Sequence, residues 1–354
     1  VETAGWYRNF GLYEAAGQSE TYVEWTLGIS QDPEVLDLIN ALPPAKRQPN
    51  LVLAAARSLG VGTPDYAGFR RFLLSHGDAV RAVALARSTQ TNEPGRCAVL
   101  LPSLAAIATA EAKPLALIEV GASAGLVLYP DRYRYQYDGG AIIAPQTAPS
   151  AGAGSRNSGA PPADGTAPEP PILACATSGN PPLPTSLPDV SWRAGIDLNP
   201  LDVTAAGDVA WLEALIWPGQ EFRVRRLRRA VEVARRDPPR LVAGDLNQLL
   251  PELVSQAPQD AVVVVLHSAV LAYLPEPDRL RFRTIIDGLI RDRGVHWLAN
   301  EGPGVMPMPT DCSGVPGLDD RTQRGRFLLS HNGRPVATTG PHGQFLDWLP
   351  PESA

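Results

Sequence analysis

Glu119, Gly121, Ser123 and Gly125 stand at alternate positions in Leu115–Leu126, which reads Leu-Ala-Leu-Ile-Glu-Val-Gly-Ala-Ser-Ala-Gly-Leu. An apolar run that breaks into small residues and then resumes suits a buried parallel strand entering a tight turn that opens a helix. Glycines in such a turn let the backbone come close to a ligand, and a helix N-terminus offers unpaired N–H groups. Polar residues end three later segments as well: Asp197 in Gly195–Pro200, Asp245 after Ala243 with the apolar Leu246 next to it, and His267 with Ser268 after Asp260–Leu266. Carboxylates at such strand ends can accept charge-assisted hydrogen bonds from hydroxyl, amine or ammonium groups. His267 is a proton acceptor suited to neutral pH.

The elements that must position these groups come in two rhythms. Residues from about 6 to 112 read as helical throughout. Asp32-Pro33-Glu34 starts a helix with an acidic N-cap and Pro at the first position, and Pro49 opens another that Gly60 closes. Further helical patterns cover about Tyr66–Ser75, Asp78–Ser88 and Arg96–Ala110. From Leu115 the pattern becomes strand, turn, helix. Strands are expected at Leu115–Val120, Arg193–Ile196, Arg240–Ala243, Ala261–Leu266 and Val295–Asn300, with helices over Val209–Ile216, Glu221–Arg236 and Asp278–Arg291. Near-continuous apolar strands joined by helices imply an α/β fold with a mostly parallel sheet covered on both faces. Arg326–His331, the turn Asn332-Gly333, Arg334–Thr338 and Gln344–Trp348 read as antiparallel strands at its edge. The division expected is an N-terminal all-helical lobe over 1–112 and a sheet domain over 113–350. Ala141–Pro188, dense in Pro, Gly, Ala and Ser, reads as a largely irregular insertion tethered near Ile172–Cys175.

Bulk properties bound the partners. Hydrophobic residues make up 44% and charged residues 19% of 354, as in a folded globular chain, and the net charge of −6 gives no general attraction to nucleic acid or acidic lipid. No apolar run approaches the roughly 20 residues that span a bilayer. The first residues lack the basic start and apolar centre of a signal peptide. Three widely spaced cysteines argue against a zinc ribbon and a disulfide framework, so the expected location is the cytoplasm.

With Glu119 before it, Gly121-x-Ser123-x-Gly125 resembles the first motif of S-adenosylmethionine-dependent methyltransferases, an acidic residue followed by Gly-x-Gly-x-Gly. Gly195-Ile-Asp-Leu-Asn-Pro200 resembles the second, Ala243-Gly-Asp-Leu246 the third, and Asp260–Ser268 with Val270–Pro275 the fourth. The resemblance covers about Leu115–Trp348 and implies a Rossmann-like, methyltransferase-type domain that binds S-adenosylmethionine and methylates a small molecule or protein group. It implies Asp197 on the ribose diol, Asp245 on the adenine amine with Leu246 near the ring, and Glu119 on the amino-acid tail above Gly121, Ser123 and Gly125. Ser268 would line the cleft, and His267 would deprotonate the acceptor. Ser123 departs from the usual middle glycine. Asp197 also lies much further along the chain than the roughly 20 residues usual for the diol-binding acid. Asp138, at the end of Tyr133–Tyr137, meets that shorter spacing and is the reserve. The whole chain is similar, too, to a bacterial domain-of-unknown-function family (family 2332). The shared phrases are Asp32–Leu36, Gln48–Leu51, Glu119–Leu126, Asp131–Tyr133, Gly195–Val203, Trp211, Trp217-Pro218 and His267–Leu274.

Other readings compete. Gly-x-Ser-x-Gly is also the nucleophile elbow of α/β-hydrolases, with Ser123 served by His331 or His342 and by Asp311, Asp319 or Asp320. A non-catalytic binding module is the third possibility. His267 at a strand end is equally a structural histidine bonded to a neighbour, and Tyr273 is better read as packing than as a cofactor wall. His296, His331 and His342 match no metal-ligand spacing, so no metal is expected. The arginines of 223–236 read mainly as a solvated helix face, opposite a buried stripe of Phe222, Leu227, Ala230, Val231 and Ala234.

Overall fold

The computed structural model describes residues 2–146, 169–302, 304–305 and 325–350. The chain forms two compact units, one of Val1–Thr91 with Leu201–Arg228 and one of Asn92–Pro200 with Arg229–Ala354. Its helices are α1 Thr3–Asn9, α2 Glu20–Ile29, α3 Pro33–Asn40, α4 Pro49–Ser58 and α5 Tyr66–Ala86, followed by α6 Cys97–Glu111, α7 Ala206–Ala214, α8 Glu221–Arg236, α9 Leu246–Ser255 and α10 Glu276–Arg293. The helical unit therefore takes α7 from far along the sequence, while α6 belongs to the unit that holds the sheet. No helix among the described residues is long and apolar enough to cross a membrane.

The helical unit is built on aromatic packing and explicit caps. Trp25 stacks on Phe69 at 3.9 Å between ring centroids, and Tyr22 and Phe10 both meet Trp217. Asp32 caps α3 by accepting from Val35 N, and it also accepts from Tyr66 and from Arg70 Nε at 2.7 Å. Burial opposes its charge, but these donors outweigh that and hold its carboxyl below the usual range. The two helical patterns at 66–75 and 78–88 form the single helix α5. It breaks at His76 (φ −122°, ψ 19°), directly before Gly77.

The other unit holds strands β1 Leu115–Val120, β2 Arg134–Tyr137, β3 Ile172–Ser178, β4 Val190–Asp197 and β5 Arg240–Ala243, then β6 Val262–Ser268, β7 His296–Glu301, β8 Phe327–His331, β9 Arg334–Thr339 and β10 Phe345–Trp348. They join one mixed sheet in the order β2-β3-β10-β9-β8-β7-β6-β1-β4-β5. β5-β4-β1-β6-β7 is a run of parallel neighbours, and β7 to β10 pair antiparallel. All six residues of β1 are buried, as expected for a central strand with both faces covered. Chain order runs outward from β1 on both sides, through β4 to β5 and through β6 to β7. The carboxyl end of β1 is thus a topological switch point, where α/β sheets bind ligands.

Two expectations are corrected. Gly121–Gly125 does not open an α-helix: only a 3-10 turn, Leu126–Leu128, follows. Pro130 explains this, because it disfavours helical backbone at Tyr129, which sits at φ −117°, ψ 44°. The second concerns 141–188. Ile172–Ser178 is strand β3, paired parallel with β2 and with β10, and its Leu173 and Cys175 are buried. The inferred tether is a strand of the sheet; residues 147–168 of that segment lie outside the described residues.

Candidate functional site at the carboxyl end of the central strand

Gly121, Ser123 and Gly125 all adopt left-handed backbone, at φ 70°, 51° and 71°. That alternation coils the chain into a compact turn, whose Gly121 and Ala122 N–H groups both donate to Ile196 O at the end of β4. Asp197 completes the junction. Its Oδ2 accepts from Ser123 N and its Oδ1 from Asn199 N, each at 2.8 Å, so one carboxylate ties the turn after β1 to the segment after β4. The glycines are required by protein packing itself. A Cβ at Gly121 would run into the Val270 side chain, and one at Gly125 would lie 2.7 Å from Pro239 Cγ.

Glu119 is the exceptional group here. It is 4% exposed, and its Oε2 has no hydrogen-bond partner among the described residues. Burial pushes its carboxyl well above the usual range; Arg96 draws it down and Asp197 pushes it up. Arg96 is itself committed, donating to Ser268 O at 2.8 Å and to Pro341 O at 3.0 Å. A buried carboxyl with an unmet oxygen calls for a donor or a cation, because an unpaired buried polar group is costly.

The other residues singled out from sequence divide. Asp245 follows β5 on the same side of the sheet, but its Oδ1 caps α9 by accepting from Asn247 N and Gln248 N. Leu246 packs on the core between sheet and helices. Ser268 lies in a buried chain in which Asn300 donates to its Oγ and Thr339 donates to Asn300. Asp138 follows β2, remote in strand order from β1, and accepts from both the N–H and the hydroxyl of Thr177; the short-spacing reserve is withdrawn on that ground.

His267 is corrected as an acceptor-deprotonating base. Its ring is fully buried between Phe282 and Trp297, its Nδ1 bonds Glu301 Oε1 at 2.7 Å, and Trp297 Nε1 donates to its Nε2 at 3.0 Å. Neither nitrogen is left for an acceptor. The reason is register: His267 pairs with Ala299 of β7, and the ring enters the layer beneath α10 rather than the strand ends. His296 and His331 bond one another at 3.0 Å, with Glu111 on the far side of His296. Burial first, and His296 second, push His331 down to about 4. Among the described residues no three His, Cys, Asp or Glu side chains are arranged to hold a metal ion. Of the hydrolase partners, Asp311, Asp319 and Asp320 lie outside the described residues.

On α8 the stripe of Leu227, Ala230, Val231 and Ala234 is buried, but Phe222 is 55% exposed beneath Arg226. Arg223 is buried instead, donating to Gln220. Sequence reasoning missed Glu301, Asn92 and Arg96. Asn92 Oδ1 receives Leu126 N at 2.7 Å and so anchors the exit of the glycine turn. The available signal for Glu301 was two polar residues, Asn300-Glu301, closing a strand whose middle, Trp297–Ala299, is apolar. Two large apolar side chains flank the β1 end in the open, Leu198 after β4 (80% exposed) and Tyr273 after β6 (69% exposed).

No curated protein and no solved structure matches the chain significantly. The family model described as "Uncharacterized protein conserved in bacteria (DUF2332)" matches residues 4–348, nearly its whole length. The chain therefore belongs to that bacterial family, the domain of unknown function 2332.

Proposed function

We propose that this protein binds S-adenosylmethionine at the carboxyl ends of β1 and β4 and is a methyltransferase acting on a small molecule or a protein group. The observation that carries this reading is Glu119, a buried carboxyl with an unmet oxygen at the switch point of a parallel sheet. Its free oxygen suits the ammonium of the amino-acid tail. Asp197, the carboxylate that joins the glycine turn to the end of β4, is the acceptor suited to a ribose diol. Leu198 and Tyr273 offer apolar surface for a planar base. Bound there, the cofactor supplies a methyl carbon already activated by the sulfonium charge. The chain's part is then alignment and exclusion of water. Asp245 and Leu246 are not assigned to the base, since one caps α9 and the other fills the core.

The test is a thermal shift of the whole chain with S-adenosylmethionine and S-adenosylhomocysteine. A ligand at about 100 times its dissociation constant stabilises by about 2.7 kcal/mol. No shift with either compound at millimolar concentration sinks the reading. Ser123→Gly refines it. Glycine relieves the left-handed serine at φ 51° and keeps the N–H that Asp197 accepts, so the variant is expected to retain the ligand shift and melt no lower than wild type. If Ser123 were a nucleophile, wild type would take a fluorophosphonate label and the variant would not.

A further inference from the structure

β7 ends in a second buried carboxylate. Glu301 is 4% exposed, and its Oε1 accepts three N–H groups: His267 Nδ1 at 2.7 Å, Val270 N at 2.9 Å and Leu271 N at 3.2 Å. The hydrogen bonds fix the tautomer of His267. The Trp297 indole has only a donor, so the His267 Nε2 it reaches carries no proton, and the imidazole's single proton sits on Nδ1, donated to Glu301. The imidazole is neutral. Among the described residues no cationic side chain makes an ion pair with Glu301, whose contact here is with this neutral histidine. Arg279, on the adjoining helix α10, spends Nη1 on Val305 O instead.

Glu301 Oε2 has no partner among the described residues, and Glu301 borders a cavity of about 30 Å³. Strand alternation builds its walls. Residues 297, 299 and 301 of β7 share one face, and Leu328 and Ser330 of β8 lie across from them in register. The apolar walls are Trp297, Ala299 and Leu328; the polar lining side chains are Glu301 and Ser330. One water requires about 10–15 Å³ on this measure, so the space takes one small occupant or two.

We propose that this cavity is a binding site for one small monovalent cation, of ammonium or potassium size, held by Glu301 Oε2 with the Ser330 hydroxyl as a second oxygen. Burying a carboxylate without a countercharge is costly, and a cation offsets that cost where a neutral water does not. A single carboxylate balances one positive charge and leaves a divalent ion half compensated, and it does not build the strict octahedral set that magnesium demands. The cavity is too small for an organic ammonium with bulky substituents.

The experiment compares melting of the whole chain in ammonium, potassium, sodium and N-methyl-D-glucamine chlorides at equal ionic strength. Ammonium or potassium is expected to raise Tm saturably over N-methyl-D-glucamine. Glu301→Gln keeps an Oε1 acceptor for all three N–H donors but turns an NH₂ group toward the cation, so the saturable increment should vanish from a protein that still melts cooperatively. Ser330→Ala should raise the half-saturating concentration at least several-fold. Equilibrium dialysis of the wild type with rubidium-86 should find one ion per chain, and it decides the matter should Glu301→Gln fail to fold. Identical melting in all four salts, no bound rubidium, or an undiminished shift in Glu301→Gln would each overturn the proposal.

Discussion

Glu119→Gln is expected to melt higher than wild type at neutral pH and to lose stabilisation by S-adenosylmethionine. The first half follows from burial. The folded-state pKa of Glu119 is raised above the ordinary value of 4.5, chiefly by desolvation. Below 4.5 both states hold the proton and the group costs nothing extra. As pH rises through the window between the ordinary and the raised value, the unfolded chain releases its proton before the folded one, and stability falls. Glutamine does not titrate. The Tm advantage of the variant should therefore be near zero at acid pH, grow as pH rises above about 4.5, and level off above the raised value. A gain of about 1–2 kcal/mol corresponds to a few degrees in a unit of this size. The second half follows from charge. The amide keeps the shape but replaces an anionic acceptor for the ammonium by a neutral one, and charge-assisted bonds are roughly twice as strong. A variant that melts below wild type across pH 4–8 would mean the carboxylate is already compensated. One that gains stability and still binds the ligand would relocate the ligand's tail.

Much of this was readable from sequence because the signals were local. β1, β5 and α8 fall where periodicity placed them, and Asp32 caps α3 as its type and position require. What escaped depended on distant pairing. β3 lies in a segment whose composition argues for a loop, yet its ladders of four residue pairs with β2 and three with β10 supply the order that composition withholds. The missing helix after the glycine turn was in principle legible, since Pro130 stands five residues past Gly125, but the motif resemblance outweighed it. Phe222 and Arg223 exchanged burial because an arginine stem packs as well as an apolar ring when its head finds a partner, here Gln220. At the site, residue types marked the strand ends correctly and left orientation undetermined. Asp197 ends β4 and Asp245 follows the neighbouring β5, yet one staples the glycine turn and the other caps a helix.

His267→Ala is expected to cost about 3–5 kcal/mol of stability, a drop in Tm of about 10 °C. Two effects add. Removing a fully buried ring between Phe282 and Trp297 leaves a cavity in a packed layer, and the Trp297 N–H loses its acceptor while Glu301 loses a donor. Glu301 also holds Val270 and Leu271, and Val270 is packed against Gly121, so loosening the carboxylate should reach the glycine turn and weaken ligand binding indirectly. His267→Gln separates this positioning role from proton transfer. A glutamine can donate to Glu301 and accept from Trp297, restoring both bonds without a basic nitrogen. Urea and thermal denaturation should show it recovering a large part of the lost stability, with ligand binding recovering in parallel. A His267→Gln protein as stable as wild type that binds S-adenosylmethionine normally, yet has lost all turnover of an acceptor, would return His267 to the chemistry.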